Sequence, residues 1–231
     1  MLPPMRPSAG SAWTLPRAVL GFTAWLLLCA SDPARDAAPP PSPTFTRPEN
    51  AMFSDDFSSD SLKYWHADSL ASVWSVRNGV LRGDLPDVKQ AHSFLFAGDS
   101  TWIDYALDFD VCGMRGVDKG AAVRVQRKHG LGVDLRGPDH NDVLVYLNHF
   151  PVGSGKIENA NGVWHHMRIE IRGKAFRILV DGQLVEDKHL KLKSPPHGGG
   201  IVLAAYAGGV AQCTVYYDNV VVTPLAAASD P

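Results

Sequence analysis

From Ala51 onward the chain is a succession of short apolar–polar alternations cut by Gly, Asp and Asn, and no window of eleven residues places apolar groups at i, i+3, i+4 and i+7. A period of two is the mark of a half-buried strand, because successive side chains leave the backbone on opposite sides. In Tyr105–Val111, Tyr105, Leu107, Phe109 and Val111 share one face, while Asp108 and Asp110 take the other, followed there by Cys112. Ala121–Lys128 sets Val123 and Val125 against Arg124 and Gln126. Further strands are predicted over Leu131–Arg136, Val143–Phe150, His165–Arg172, Ala175–Val180, Ile201–Tyr206 and Gln212–Thr223. Asn78-Gly79 and Asp181-Gly182 join short strands as hairpin turns, since their residues accept positive φ. Only four of the 24 acidic residues are Glu (Glu49, Glu158, Glu170 and Glu186), and Asp favours turns where Glu favours helices. The pattern predicts one antiparallel all-β domain over residues 51–225, a sandwich or barrel, with residues 226–231 as a flexible tail.

The first fifty residues read differently. Arg6 and Arg17 precede a thirteen-residue apolar run, Ala18–Ala30, which is short for a membrane span and fits a secretory signal over residues 1–30. Cleavage near Ala30 or Ser31 is one expectation. Lipid attachment at Cys29, which would tether the chain to a membrane, is the other, although Leu28 stands where a small residue is expected. Residues 31–50 are rich in Pro, Ala and Ser, and are expected to form a disordered linker. The expected location is secreted, periplasmic or at the cell surface. A net charge of −2 with scattered Lys and Arg argues against nucleic acid as a partner.

Several blocks occur in an order that resembles concanavalin A-like jelly rolls. They are Phe53-Ser-Asp-Asp-Phe57 with Leu62 and Trp65, Trp74-Ser-Val-Arg-Asn-Gly-Val80, Gly120-Ala-Ala-Val-Arg124, Gly162-Val-Trp164 with Val180-Asp-Gly182, and Tyr217-Asp-Asn-Val-Val221. That superfamily includes laminin-G-like modules, family 16 glucanases and the 3-keto-disaccharide hydrolase-like domains. The resemblance implies a two-sheet antiparallel jelly-roll sandwich, with Trp65, Trp74 and Trp164 as core residues. It implies a saccharide or glycan as partner, bound on a concave sheet face. A glycoside-active enzyme of the 3-keto-disaccharide hydrolase type and a laminin-G-like adhesion module are the alternatives.

The chemistry is less specific than the fold. Family 16 glucanases carry Glu-x-Asp-x-x-Glu on one strand, and this chain has no such motif, so their paired carboxylates are missing. Asp108 and Asp110 are either solvated outer positions or part of a groove. In the second case strand parity makes Arg124, Gln126, Asp134, Arg136, Tyr146, Asn148 and Tyr206 their neighbours, a set that supplies paired hydrogen bonds and stacking rings for a sugar. One bulge would swap that parity. Asp139-His140-Asn141-Asp142 is read as turn chemistry rather than a ligand set. By resemblance to glucanases, Asp218 and Asp56 would hold a structural Ca²⁺, completed by carbonyls and water. Cys112 and Cys213 are candidates for a disulfide, or for two separate small apolar residues.

Overall fold

The structure, a computed structural model, describes residues 32–226 except 45, 69, 128 and 194–196; the apolar run and the chain's last five residues lie outside the described residues. Among the described residues fifteen strands, numbered in chain order, form two antiparallel sheets. Sheet I runs β13 (Gln183–His189), β12 (Ala175–Val180), β11 (Trp164–Arg172), β6 (Tyr105–Arg115), β15 (Thr214–Pro224), β4 (Val80–Asp84), β3 (Trp74–Arg77); β1 (Phe53–Asp55) also pairs with β15. Sheet II runs β10 (Phe150–Lys156), β9 (Asp142–Leu147), β8 (His129–Arg136), β7 (Asp118–Gln126), β14 (Gly200–Tyr206), β5 (His92–Ala97), β2 (His66–Ala67). The expected jelly-roll sandwich is the fold observed.

The alternation decides what lies between the sheets. Leu107, Phe109 and Val111 from sheet I, with Leu131, Val133, Leu135, Val143 and Val145 from sheet II, are all excluded from solvent. Each such side chain contributes about 1.5–3 kcal/mol on burial. Two tyrosines of sheet I cross this core. The Tyr105 hydroxyl accepts from the Arg124 amide at 2.5 Å and lies 3.0 Å from the Gly200 carbonyl. The Tyr217 hydroxyl accepts from the Gly120 amide at 3.0 Å and lies 2.6 Å from the Ala204 carbonyl. Both therefore bind backbone groups of sheet II directly.

Residues 32–43 are docked on the outer face of sheet I, unlike the disordered linker expected there. Asp32 caps a single helical turn, α1 (Pro33–Asp36), and accepts from Arg115. Arg35 pairs with Asp84, and beyond it the extended chain offers the carbonyls of Ala37, Pro40 and Pro43 to Tyr216, Trp164 and Asn219. A Pro-rich segment keeps every proline carbonyl as an acceptor and has little backbone freedom to lose, so polar outward-facing side chains hold it without an apolar core. Trp164 is accordingly an outer residue under this segment, not a core one, whereas Trp65 and Trp74 are buried in the core.

Cys112 and Cys213 are both free and buried. Cys112 follows the outer parity of β6 beside Met114, while Cys213 belongs to the core, so the thiols face opposite sides of sheet I.

Candidate functional site

The nine residues that parity grouped together are divided by the fold. Asp108 and Asp110 lie on the outer face of sheet I; the other seven belong to sheet II or its turns. Two aspartates on the outer face of one sheet and residues carried by the other sheet cannot meet one ligand.

On sheet I, His166 bridges the pair, 2.8 Å from Asp110 and 3.4 Å from Asp108, and these two carboxylates raise the imidazole to about 10. Arg168 also pairs with Asp108, at 2.6 Å, and the Asn219 amide donates to Asp110 at 2.6 Å. The aspartates thus belong to a charged network of the outer face.

Arg124 leaves the groove for a different reason. The β7 register shifts between Val123 and Gln126, and Arg124 sits in that bulge with φ +50°. The bulge turns its side chain to the end of the sandwich, 0% exposed, where it donates to the Ile103 and Gly173 carbonyls and pairs with Asp104 at 2.6 Å. Gln126 is exposed at the end of the β7–β8 hairpin. Asn148, with φ +50°, closes the β9–β10 turn and accepts from the Gly130 amide.

The remaining four come together on the outer face of sheet II. Register places Gly120, Asp134 and Leu144 in one row across β7, β8 and β9. The next row toward one end holds Tyr206, Asp118, Arg136, Asp142 and Lys156; the next toward the other holds Val202, Ala122, Gly132 and Tyr146. Gly120, Gly132, Ala122 and Ala204 make a floor, and the space above Gly132 is open where a Cβ would stand. Asp134 keeps a solvent-facing edge, yet desolvation raises its carboxyl to about 7, with Asp118 adding repulsion and Arg136 offsetting part of both. Among the described residues no hydrogen-bond donor reaches that carboxylate. Burial also pushes Asp118 up, against the pull of Arg136 and His140. Burial and the Asp134 charge raise Tyr146, which stays a protonated donor at neutral pH.

Three members of this cluster escaped the sequence reading. Asp118 precedes the alternating run that identified β7, and His140 and Asp142 lie in the stretch read as turn chemistry. His140 in fact meets Arg136, and Asp142 lies 3.6 Å from the same guanidinium. The signal was the hairpin itself, since its two ends sit in one cross-strand row.

Asp56 and Asp218, the pair expected to hold Ca²⁺, lie close enough that the Asp56 charge, after burial and Asp110, helps to raise the Asp218 carboxyl to about 6. Asp56 accepts from the Ser58 amide and hydroxyl, and Asp218 from the Ser42 hydroxyl and the Asn219 amide. Among the described residues no three acidic or His side chains gather around a common centre.

Structural likeness extends to solved proteins of low identity. A carbohydrate-binding module, CBM66, from Bacillus subtilis superposes with a TM-score of 0.55 at 20% identity, over 69% of this chain and 95% of that one. A Bacillus subtilis protein of unknown function with a galectin-like fold gives 0.61 at 9%, over 78% and 98%. The exoplasmic/lumenal domain of VIP36, in a form bound to Ca²⁺ and Man3GlcNAc, gives 0.60 at 10%, over 77% and 90%. No curated protein sequence matches. The profile of the 3-keto-alpha-glucoside-1,2-lyase-like domain matches residues 52–223, almost the whole sandwich, and the chain belongs to that family.

Proposed function

We propose that this chain binds a glycoside in the trough on the outer face of sheet II. The observation that carries the reading is the convergence of Asp118, Asp134, Arg136 and Tyr146 beside a floor of Gly and Ala. A pyranose offers pairs of hydroxyls along its edge, which carboxylates and a guanidinium meet with charge-assisted hydrogen bonds. The family and the likeness to CBM66 support a saccharide as the ligand class. The test is titration calorimetry against glycans. Arg136→Ala is expected to weaken binding about ten- to hundredfold, the equivalent of about 1.5–3 kcal/mol. Gly132→Leu is expected to fill the trough and abolish binding while the protein stays folded. A wild-type protein that binds no glycan overturns the proposal.

One observation favours catalysis as well: a carboxyl near neutrality with no donor to satisfy it. The family description names a 1,2-lyase acting on a 3-keto-glucoside. In such a reaction the C3 ketone acidifies the C2 hydrogen. A base removes that proton, its electron pair forms the C1–C2 double bond, and the C1–O bond breaks, leaving an alkoxide that takes up a proton. Asp134 has the pKa of a general base at neutral pH, and Tyr146, two strand positions away across Gly132, is a proton donor. Asp134→Asn is expected to bind a 3-keto-glucoside but to form no conjugated enone; equal enone formation in that variant sinks the catalytic reading.

Export is part of the same proposal, on the strength of the Arg-flanked apolar run at 18–30. Amino-terminal sequencing of the mature protein separates cleavage near Ala30 or Ser31 from a blocked, lipidated Cys29.

A further inference from the structure

Strand β5 was not predicted from the sequence, and it carries five-ring continuity to the trough. Its core parity belongs to Ser93, Leu95 and Ala97, all buried, so His92, Phe94 and Phe96 face outward. Neither phenyl joins the core. With His66 and Tyr206 they form an unbroken row. His66 stacks on Phe96 with centroids 5.1 Å apart and planes at 18°; Phe96 meets Phe94 at 6.5 Å; Phe94 meets His92 at 5.3 Å; His92 meets Tyr206 at 6.5 Å.

This row stands on the same face as Asp134, along the opposite side of the floor. Register puts Phe94, Ala204, Gly120 and Asp134 in one line across β5, β14, β7 and β8. Three strand spacings separate the ends of that line, about 14 Å. Only Ala204 and Gly120 lie between, so no side chain rises to divide the trough. A single pyranose engaged by Asp134 cannot also reach Phe94, but a ligand with two linked rings does.

We infer that the aromatic row is a second subsite, which stacks the other ring of a glycoside whose first ring lies at Asp134 and Arg136. This rests on the glycoside reading above and adds the residues that take the second ring. The occupant follows from the two walls together. One wall is ionic, with carboxylates that repel nucleic acid and acidic peptides. The other is a row of aromatic rings that includes the imidazoles and ends at Tyr206, whose hydroxyl bonds Gln90. A molecule with apolar ring faces and polar edges satisfies both walls, and aromatic faces of this kind contribute about 0.5–1.5 kcal/mol each, severalfold to about tenfold in affinity.

The test compares three probes on the whole mature protein by calorimetry: methyl 3-keto-α-glucoside, with one ring; 3-keto-maltose oxidised on its non-reducing ring; and phenyl 3-keto-α-glucoside. The two-ring probes are expected to bind about tenfold more tightly than the methyl glycoside. Phe94→Ala should remove that advantage and leave the methyl glycoside unaffected, while Phe94→Tyr should retain it. An advantage confined to 3-keto-maltose assigns the subsite to a sugar, and one confined to the phenyl probe assigns it to an aromatic aglycone. Equal binding of all three by the wild type, or an unchanged advantage in a folded Phe94→Ala protein, overturns the second subsite and leaves the first intact. Binding of none of the three overturns both.

Discussion

The hydroxyl of Tyr105, rooted in one sheet, accepts the backbone hydrogen of Arg124 in the other at 2.5 Å. The bulge that removes Arg124 from the trough is therefore held open from across the core. Tyr105→Phe would leave the buried amide without its acceptor and the Gly199 and Gly200 carbonyls without a donor. The expected loss is about 1–3 kcal/mol in urea unfolding, with no change in glycan binding.

Arg124 itself is a stability residue. Arg124→Ala would strip the partner from Asp104 and three donors from the carbonyls and carboxylate around it. Removing one member of a buried pair costs about 3–5 kcal/mol. Thermal unfolding should register the whole effect, and Arg124→Lys should not restore stability because one ammonium nitrogen cannot span the acceptors that Nε, Nη1 and Nη2 of the planar guanidinium reach separately. A stable Arg124→Ala protein with impaired binding would return the residue to the site.

Asp134 is expected to lower the stability of the fold it serves. Its folded pKa, about 7, lies above the ordinary carboxylate value. Its contribution is therefore full below about pH 4 and is lost as the pH rises through 7. Asp134→Asn should match the wild type at pH 4 and exceed it above pH 7 by about 1–2 kcal/mol, roughly 3–6 °C in Tm, after allowance for its solvent-facing edge. Differential scanning calorimetry at pH 4, 6 and 8 provides the comparison.

Both thiols should be inert in the native protein. Burial pushes Cys112 up to about 11 and Cys213 up to about 12, and they lie on opposite sides of one sheet. Mass spectrometry after alkylation at pH 8 should find neither labelled in the native state. After unfolding without reductant it should find both labelled, and a pair that resists labelling would mean a disulfide.

The sandwich was legible where core-facing apolar residues alternate with outer ones of different character, although β6 and β15 are buried on both faces. Tyr105–Val111 alternates cleanly, and both it and Ala175–Val180 are strands as read. Strand β5 was not legible because its outer face is as apolar as its inner one: in His92–Ala97, Phe94 and Phe96 alternate with Ser93, Leu95 and Ala97, and no period stands out. Strand β10 is hidden by Pro151, Gly153 and Gly155, which give no alternation at an edge. Within the site, parity held where strands are regular, as at Asp134, Arg136 and Tyr146. It failed at Arg124 because an extra residue reverses every later assignment. Nor does parity identify the sheet, so Asp108 could not be distinguished from Asp134 by alternation alone.

The docking of residues 32–43 separates two boundaries that usually coincide. Similarity to the family begins at Met52, but the compact unit begins at Asp32, twenty residues earlier (52 − 32). A protein trimmed to the family limits would retain both sheets and its trough, yet Arg115, Trp164 and Tyr216 would each lose a bonding partner on the face behind it. Kinship is recorded in the sandwich alone, whereas the compact unit includes an amino-terminal segment that kinship does not record.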